Sequence, residues 1–356
     1  MPRVVIAAGG TAGHVVPALA VADALRARGA EVEFVGGERA EARLVPAAGY
    51  PFHAIQVTGI DRRNMLKAAR AVVLAALALP KALALLRRLR PGVVIGGGGY
   101  VAGPVGLAAV LLRIPLLLTE ADSHLGMANR LLAPAAKRVF LSFPLSGRGG
   151  DKYVVSGRAL PPGTGKADRA AARARFGIPE DAQCLLVFGG SLGARTVNRA
   201  AIEAFGAAAP CTVLHASGQR DYEELRARLD ELGSPSHYHL HPYIEPFADA
   251  LAAADLAAAR AGGSVLELAA AGLPAVLVPY PHASADHQTG NARWMEQEGA
   301  AVVVRDAELD GPRLAREVAA LLGSPARLRT MAAAAEAAAR PDAAATIAQS
   351  ALDLSV

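Results

Sequence analysis

The stretch VVIAAGGTAGHVVPALA, residues 4–20, decides the fold because it joins a buried strand to a helix through a glycine turn. A helix that starts after such a turn presents unpaired backbone N–H groups and a positive dipole end, which together favour an anion. The dinucleotide fingerprint needs glycines at i, i+2 and i+5, a spacing that Gly9, Gly10 and Gly13 do not provide. The stretch therefore indicates an α/β domain with an anion site and disfavours a nicotinamide or flavin enzyme.

The second half of the chain repeats this pattern, because CLLVFGGSLGAR, residues 184–195, is again a buried strand, a Gly-Gly pair, a hydroxyl residue and a helix start. Apolar runs alternate with helical stretches around both copies, which is typical of parallel sheets covered on both faces. The sequence therefore predicts two related, doubly wound, Rossmann-like α/β domains. The predicted strands are residues 4–8, 32–35, 93–95, 116–119, 185–188, 212–215, 256–259, 275–279 and 301–304.

The prolines and glycines of SGRALPPGTGKADRAA interrupt any regular structure, and we place a linker at residues 157–165. The first domain is predicted to span residues 1–157 and the second residues 166–339. The helical, alanine-rich residues 340–356 are predicted to pack back on the first domain. Because parallel α/β sheets bind ligands beyond the carboxyl ends of their strands, we expect the two domains to face each other across a cleft and to bind one ligand each.

The composition excludes several classes of protein. Hydrophobic residues make up 53% of the 356 residues and charged residues 19%, which predicts large cores and argues against disorder. Cys184 and Cys211 lie in or beside apolar runs and are predicted to be core thiols in a reducing compartment. The longest apolar region, residues 68–90, is interrupted by Pro80 and by charged residues, so it lacks the roughly 20 apolar residues that a membrane-spanning helix needs.

The charge balance predicts an anionic partner. A net charge of +5 and a pI near 9.4 fit a phosphorylated substrate, an anionic membrane surface or nucleic acid. Nucleic acid is the least favoured of these, since aromatic residues are only 4% of the chain and do not alternate with basic runs. The chain enters a strand at its start without the pattern of a signal peptide, so we expect a cytoplasmic protein.

Three further motifs follow predicted strands. GGGGYVAGP, residues 96–104, contains four consecutive glycines, which indicate close approach of the backbone to a ligand more than a flexible surface turn. RAGGSVLELAAAGLP, residues 260–274, reads as a diphosphate cradle, although Ser264 and Glu267 would alternatively form a helix-capping box. DHQTGNARW, residues 286–294, is dense in groups that bind hydroxyls, with a solvated helix start as the alternative.

Histidines and carboxylates decide between metal-dependent and metal-free chemistry. His14 stands at the mouth of the first anion site, where an imidazole can accept a proton or donate to a phosphate, although an ordinary helix residue is the alternative. HYHLH, residues 237–241, lacks a carboxylate or cysteine partner and indicates a partly exposed strand face more than a metal site. No Asp-x-Asp occurs in the sequence. We therefore expect neither a metal nor another cofactor, with a helix dipole and Arg260 holding a leaving diphosphate.

Taken together, GGTAGH, GGGGYVAGP, GGSLGAR, RAGGSVLELAAAGLP and HQTGNA, in this order across nearly the whole chain, resemble the MurG family. These bacterial enzymes move N-acetylglucosamine (GlcNAc) from UDP-GlcNAc to the C4 hydroxyl of a lipid-linked muramyl-pentapeptide in peptidoglycan synthesis. The resemblance implies a GT-B fold, an inverting metal-independent mechanism and a peripheral place on the cytoplasmic face of the inner membrane. The implied partners are UDP-GlcNAc, the lipid-linked acceptor, an anionic membrane surface contacted by residues 62–90, and cell-wall synthesis proteins.

The same resemblance implies roles for individual residues. In the second domain Ile244 would contact uracil, Glu267 the ribose, and Gln288 with Thr289 the sugar hydroxyls. In the first domain His14 would be the base that activates the acceptor. The other donor residues would be Ser191, Arg260, Gly263, Ser264, Val265 and Leu266, and the acceptor residues Thr11, Ala12, Gly13, Gly99, Tyr100, Asp122 and Arg158. Two of these depart from the family pattern, since Asp122 replaces an asparagine and Arg158 stands near the place of an arginine that the chain lacks.

Three other functions stay open at this point. A GT-B transferase with another lipid acceptor, such as a diacylglycerol, would share the donor motifs, and so would a UDP-GlcNAc 2-epimerase. The epimerase needs no lipid surface, so membrane binding and a heavier acceptor product would exclude it. A weakly catalytic scaffold that binds a UDP-sugar and recruits cell-wall proteins is the third alternative, and turnover separates it from the enzymes.

Overall fold

The computed structural model describes residues 1–10, 12–57, 65–190 and 193–355, with the backbone alone described for Ala12, residues 65–72 and Ser284. The chain divides into two compact units. Unit 1 comprises Met1–Pro162 and Arg340–Val356, and unit 2 comprises Gly163–Ala339.

The described part of unit 1 contains a parallel sheet of seven strands in the order β3-β2-β1-β4-β5-β6-β7. The strands are β1 (Arg3–Ala7), β2 (Glu31–Gly36), β3 (Phe52–Ala54), β4 (Val93–Gly96), β5 (Leu116–Glu120), β6 (Arg138–Leu141) and β7 (Tyr153–Val155). The helices are α1 (Ala12–Arg26), α2 (Ala40–Ala47), α3 (Met65–Leu89), α4 (Ala102–Leu111), α5 (Met127–Leu132) and α14 (Ala343–Asp353). The order reverses direction between β1 and β4, the position at which open α/β sheets bind ligands.

The described part of unit 2 contains a parallel sheet of six strands in the order β10-β9-β8-β11-β12-β13. The strands are β8 (Cys184–Phe188), β9 (Thr212–Ala216), β10 (Tyr238–His241), β11 (Leu256–Ala259), β12 (Ala275–Leu277) and β13 (Ala301–Val303). The helices are α6 (Arg169–Phe176), α7 (Arg195–Phe205), α8 (Tyr222–Glu231), α9 (Phe247–Ala253), α10 (Val265–Ala270), α11 (His287–Gln297), α12 (Gly311–Leu322) and α13 (Pro325–Ala338). The predicted fold class, two Rossmann-like parallel-sheet domains, is confirmed.

The central strands are covered on both faces, which explains their continuous apolar sequences. In β1, Val4 and Ile6 pack with α1 and α14, whereas Val5 and Ala7 pack with α3 and α4 on the other face. All four side chains are fully buried. Burying a valine or isoleucine stabilises the fold by about 1.5–3 kcal/mol, so these strands hold the adjoining turns firmly in place.

A buried polar network in unit 2 joins β9 and β10 to α7. His215 is fully buried, its Nδ1 lies 2.8 Å from the Tyr238 hydroxyl, and its Nε2 lies 3.1 Å from Asn198 Oδ1. The Asn198 amide donates to the Ser217 carbonyl and to Asp221. Burial lowers the pKa of His215 to about 3, so the imidazole is neutral and acts as a structural link. The network fixes the turn that follows β9.

Both cysteines are buried free thiols, as predicted. Burial raises the pKa of Cys184 to about 12 and that of Cys211 to about 11, so both thiols stay protonated at neutral pH. Across the described residues, the structure contains no helix that is both long and apolar enough to cross a membrane.

Candidate functional site

The first candidate site lies at the carboxyl ends of β1 and β4, where two glycine turns meet. Gly99 has φ +74°, and a Cβ there would lie 2.0 Å from the carbonyl oxygen of Gly9. Gly98 has φ +84°, and a Cβ there would lie 3.0 Å from Nδ1 of His14. Contacts within the protein therefore explain the predicted glycine run. Gly98 and Gly99 leave room for the His14 ring and for the Gly9 carbonyl, so the two glycine turns can approach each other closely.

The buried carboxylate of Glu41 forms hydrogen bonds with both of these turns. Glu41, on α2, is fully buried and accepts hydrogen bonds from the N–H groups of Gly10 and Gly37, both at 2.9 Å. It also accepts the Tyr100 hydroxyl at 3.3 Å. The N–H of Gly10 therefore points into the protein and not toward an anion. Glu41 could not be identified as a site residue from the sequence, because two of its hydrogen-bond partners, Gly10 and Tyr100, lie 31 and 59 positions away in the chain.

His14 lies in the first turn of α1, beside a small cavity that belongs to unit 1. The cavity is lined by Gly13, His14, Thr119, Glu120 and Arg158 together with apolar side chains of the core. Arg158 donates from its guanidinium to the Gly13 carbonyl at 2.5 Å. The structure thus brings together three of the predicted acceptor-site residues at the start of one helix.

Glu120 organises the loop that follows β5. Its carboxylate accepts the N–H of Asp122 at 3.3 Å, the N–H of Gly126 at 2.8 Å and the side-chain amide of Asn129 at 2.9 Å. Burial raises the pKa of Glu120, and the hydrogen bonds from Gly126 and Asn129 oppose that shift. Glu120 thereby fixes the backbone position of Asp122, a predicted acceptor residue. Glu120, which lines the cavity beside His14, and Asn129, which donates to it, were not singled out from the sequence.

The second candidate site lies at the carboxyl edge of the unit 2 sheet, where Gly263 and Ser264 precede α10. Ser264 already has helical dihedral angles, φ −61° and ψ −17°, and among the described residues its side chain makes no capping hydrogen bond. The N–H of Val265 instead bonds to the Gly262 carbonyl, which continues the turn into the helix. The Ser264 side chain therefore does not form its half of the alternative capping box.

Arg260 is engaged within unit 2. Its side chain is 9% exposed and donates to Asp306 Oδ1 at 2.5 Å. It also donates to the carbonyls of Val278 and Pro279 at 3.2 and 3.4 Å. The charge of Arg260 is thus balanced by Asp306, and its guanidinium holds the turn after β12. Asp306 lies 46 positions away in the sequence, so the motif around Arg260 could not predict this ion pair.

Gln288 and Thr289 begin α11 and contact neighbouring turns. Gln288 accepts the N–H of Tyr280 at 3.0 Å, and Thr289 donates to Asp286 at 2.6 Å. A Cβ at Gly262 would lie 4.0 Å from the Gln288 amide nitrogen. The structure therefore places Gln288 beside the glycine turn that precedes α10.

Two arginines share one buried aspartate near the start of α7. Asp221, with 3% side-chain exposure, lies 3.3 Å from Arg195 and 2.9 Å from Arg220, whose side chains are each 53% exposed. The hydrogen bond from Arg220 lowers the pKa of Asp221. Together, the two guanidinium groups and the one carboxylate carry a net positive charge at the carboxyl ends of β8 and β9. Neither arginine is among the predicted site residues.

Comparison with known proteins identifies the family. Models of the glycosyltransferase family 28 N-terminal and C-terminal domains match residues 4–141 and 184–347. The chain is 44% identical over 355 residues to the UDP-N-acetylglucosamine–N-acetylmuramyl-(pentapeptide) pyrophosphoryl-undecaprenol N-acetylglucosamine transferase of Moorella thermoacetica, over 96% of each chain. It is 45% identical to the Alkalilimnicola ehrlichii protein of that name, over 98% of each chain. The chain belongs to the MurG family.

The solved structures agree with this assignment. The crystal structure of Acinetobacter baumannii MurG matches with a TM-score of 0.82 at 32% identity, over 99% of this chain and all of that one. The predicted resemblance to the MurG family and the GT-B fold are thereby confirmed. Membership in this family makes the protein a glycosyltransferase, so the 2-epimerase alternative is removed.

Some of the site residues implied by the MurG resemblance lie outside the described residues. One other would offer only its backbone to a ligand. Thr11 and Ser191 are outside them, as are residues 62–64 of the predicted membrane segment. Ile244 is only 3% exposed, so a base at this position would meet its backbone. Among the described residues, no group of three or more His, Cys, Asp or Glu side chains is arranged to hold a metal ion. His237 of the HYHLH stretch bonds through Nε2 to the Phe205 carbonyl.

Proposed function

We propose that the protein transfers GlcNAc from UDP-GlcNAc to the C4 hydroxyl of undecaprenyl-pyrophosphoryl-MurNAc-pentapeptide, which converts lipid I to lipid II. Relatives of more than 40% identity carry this activity in their names. The observation that carries the proposal is the cluster of Gly13, His14 and Arg158 at the start of α1, beside one cavity. A helix start, an imidazole and a guanidinium suit an acceptor that has both a diphosphate and a nucleophilic hydroxyl.

In the acceptor site, the backbone at Ala12 and Gly13 binds the diphosphate, because the N–H of Gly10 is already held by Glu41. His14 accepts the proton of the C4 hydroxyl while that oxygen attacks the anomeric carbon. The attack proceeds from the face opposite UDP, so the anomeric configuration inverts. Arg158 fixes the start of α1 through Gly13 and adds positive charge near the diphosphate. Thr11, Gly99, Tyr100 and Asp122 complete the proposed acceptor site.

In the donor site, the backbone of Ile244 contacts uracil, Glu267 binds the ribose hydroxyls, and Gln288 with Thr289 binds the sugar. Ser191 and the residues from Gly263 to Leu266 surround the diphosphate. Arg260 contributes through the turn after β12, since its own charge is balanced by Asp306.

The leaving UDP requires positive potential, and no metal or other cofactor enters the proposal. Arg195 and Arg220 supply this positive charge, because the one carboxylate that pairs with them among the described residues is that of Asp221. Charge-assisted hydrogen bonds to a phosphate are roughly twice as strong as neutral ones. Preorganised donors of this kind stabilise the charge that develops on UDP as the glycosidic bond breaks.

Label transfer tests the proposed function. The purified protein is incubated with radiolabelled UDP-GlcNAc and the lipid-linked muramyl-pentapeptide, with and without EDTA. We expect label in the lipid fraction and equal rates in both samples. UDP binding without label transfer would favour the scaffold, and label on a diacylglycerol in place of the muramyl lipid would favour the other acceptor. Loss of transfer with EDTA, restored by Mg²⁺, would contradict the metal-free mechanism.

We also propose a peripheral place on the cytoplasmic face of the bacterial inner membrane. Three neighbouring helices of unit 1 expose large apolar side chains, which form the apolar patch. Its members are Val73 and Leu77 on α3, Leu107 and Leu111 on α4, and Leu131 on α5. Exposed basic side chains accompany them, namely Lys81, Arg87, Arg88, Arg113 and Arg130. Apolar side chains flanked by basic ones suit an anionic lipid surface. The part of the patch on α4 and α5 lies beyond the predicted segment 62–90.

Replacing Leu77 and Leu111 with serine is expected to weaken binding to phosphatidylglycerol-containing vesicles by about 10–100-fold, because partial burial of each leucine in lipid contributes roughly half of the 1.5–3 kcal/mol that full burial would give. Vesicle flotation measures the change. Leu232→Ser is the control, since Leu232 is an exposed leucine of unit 2. Transfer to a water-soluble acceptor analogue should stay unchanged in both variants. Equal vesicle binding by the double variant and the control would contradict the role of the patch.

A further inference from the structure

We propose that Glu41 is a positioning residue for the acceptor site, acting through the glycine turn and the Tyr100 ring without touching the acceptor. This inference rests on the proposed placement of the acceptor at the start of α1. It concerns a side chain on α2 whose three hydrogen bonds reach three different segments of unit 1.

The carboxylate of Glu41 joins the ends of three segments. One oxygen accepts the N–H of Gly10, which follows β1, and the other accepts the N–H of Gly37, which follows β2. The second oxygen also accepts the Tyr100 hydroxyl, which follows β4. Hydrogen bonds to a charged group are stronger than those between neutral groups, so the three segments are held together at their carboxyl ends. These are the ends at which α/β sheets bind ligands.

The glycines around Glu41 are required for this contact. A Cβ at Gly9 would lie 2.7 Å from Oε1 of Glu41, and a Cβ at Gly37 would lie 2.9 Å from the same atom. A Cβ at Gly36 would lie 2.7 Å from Cγ. Each distance is too short for a real contact, so a larger residue at any of these positions would displace the carboxylate. The two Gly-Gly pairs therefore admit Glu41 to the backbone in addition to forming turns.

The bond to Tyr100 fixes the ring over the turn. The pKa of Tyr100 is raised to about 12, mainly by burial and next by the negative charge of Glu41. The hydroxyl therefore remains a donor at neutral pH. The ring lies close to the turn, since a Cβ at Gly10 would be 3.5 Å from Cε1 of Tyr100 and 3.8 Å from Cδ2 of His14. Glu41 thus sets the relative positions of the Tyr100 and His14 rings.

The direction of the Gly10 N–H has a consequence for anion binding. Because this donor is bound by Glu41, it is not available to an anion at the start of α1, which begins at Ala12. An anion at this place meets the helix start, while the carboxylate charge behind it is compensated by three donors. Without the carboxylate, Gly10 and Gly37 would each keep a donor that lacks an acceptor.

The test is Glu41→Gln, which keeps the size of the side chain but turns an NH₂ group toward one of the two backbone N–H donors. We expect kcat/KM for the lipid-linked acceptor to fall about 10–100-fold, with most of the fall in a higher KM, because the displaced groups bind the acceptor and a misplacement of about 1 Å can cost 10²-fold. The KM for UDP-GlcNAc should not change. Glu203→Gln is the matched control, since Glu203 accepts the N–H of Gly311 at 2.9 Å in unit 2.

A merely structural role would give a different result. It would lower the folded fraction, and therefore kcat, with both KM values unchanged. Positioning through Tyr100 predicts in addition that the effects of Glu41→Gln and Tyr100→Phe on acceptor KM are less than additive in the double variant. An unchanged acceptor KM in folded Glu41→Gln, or full additivity, would overturn the proposal. If Glu41→Gln does not fold, Glu41→Asp, which keeps the charge but shortens the side chain, is measured for the same rise in acceptor KM.

Failure of this inference is distinguishable from failure of the proposed acceptor site. If Glu41→Gln leaves acceptor KM unchanged while His14→Ala abolishes transfer, only the positioning role is wrong. If His14→Ala and Gly99→Ala both leave kcat and acceptor KM unchanged, the acceptor site itself lies elsewhere, and an effect of Glu41→Gln on acceptor KM would have to be explained by that other site.

Discussion

His14→Ala is expected to lower kcat by about 10³-fold, within the 10²–10⁴-fold range of general-base catalysis. The KM for UDP-GlcNAc should stay within about twofold, since the proposed donor residues lie in unit 2. The physical reason is that an uncharged hydroxyl is a weak nucleophile until a base takes its proton during attack. Steady-state transfer of radiolabel, with each substrate varied in turn, measures both constants.

The control for His14→Ala is another histidine of unit 1. His53 lies on β3, with Nε2 2.6 Å from a carboxylate oxygen of Glu33, and belongs to neither proposed site. His53→Ala should retain the kcat of the unmodified protein. Undiminished kcat in His14→Ala would assign the base to another residue.

Much of the fold could be predicted because its signal is local. Strands such as β1 and β8 are buried on both faces, so their sequences are continuously apolar and each is followed by a glycine turn. The short strands β3, β6 and β7 have only three or four residues each and begin with a partly or fully exposed residue, and they were not predicted. Such short strands give little pattern to distinguish them from loops, whereas the equally short β13 was predicted because it continues into the apolar, buried Val304.

The site could be predicted only where the motif and its contacts share one segment. The residues of GGTAGH are consecutive, and the structure keeps Gly13 and His14 beside one cavity. Arg260 and Glu41 depend on partners that lie 46 and 31 positions away, which no local pattern reveals. The Ser264 half of the capping box could not be excluded from the sequence for a related reason, since Ser264 enters the helix through the Gly262 turn and not through its own side chain.

Arg158 shows how a departure from a family pattern can be judged in three dimensions. Its position in the sequence does not match the arginine that the MurG pattern places in the linker. Its guanidinium nevertheless donates to the Gly13 carbonyl, one residue before His14. A long side chain can thus bring charge to a site from a displaced backbone position. Asp122, by contrast, is fixed through its N–H to Glu120.

Gly99→Ala is expected to reduce kcat/KM for the acceptor by at least about 10²-fold, the effect of a displacement of about 1 Å in a reacting site. The added Cβ would lie 2.0 Å from the Gly9 carbonyl oxygen, and the φ of +74° adds backbone strain. Because the added Cβ would meet a backbone oxygen, no rotation of a side chain can relieve the clash. The Gly9 turn must therefore move together with the start of α1. Binding of UDP, measured by calorimetry, should not change.

The matched control separates this displacement from strain alone. Gly49, also in unit 1, has φ +76°, and within the described part of the chain no heavy atom lies within 4 Å of a Cβ built there. Gly49→Ala should therefore lower the free energy of unfolding by about 1–2 kcal/mol, the cost of a left-handed conformation, with transfer unchanged. If Gly99→Ala retained acceptor kinetics like those of Gly49→Ala, the contact between the two glycine turns would not determine the acceptor site. If both variants lost transfer equally, strain in unit 1 would account for the loss, and the position of the Gly9 turn would not.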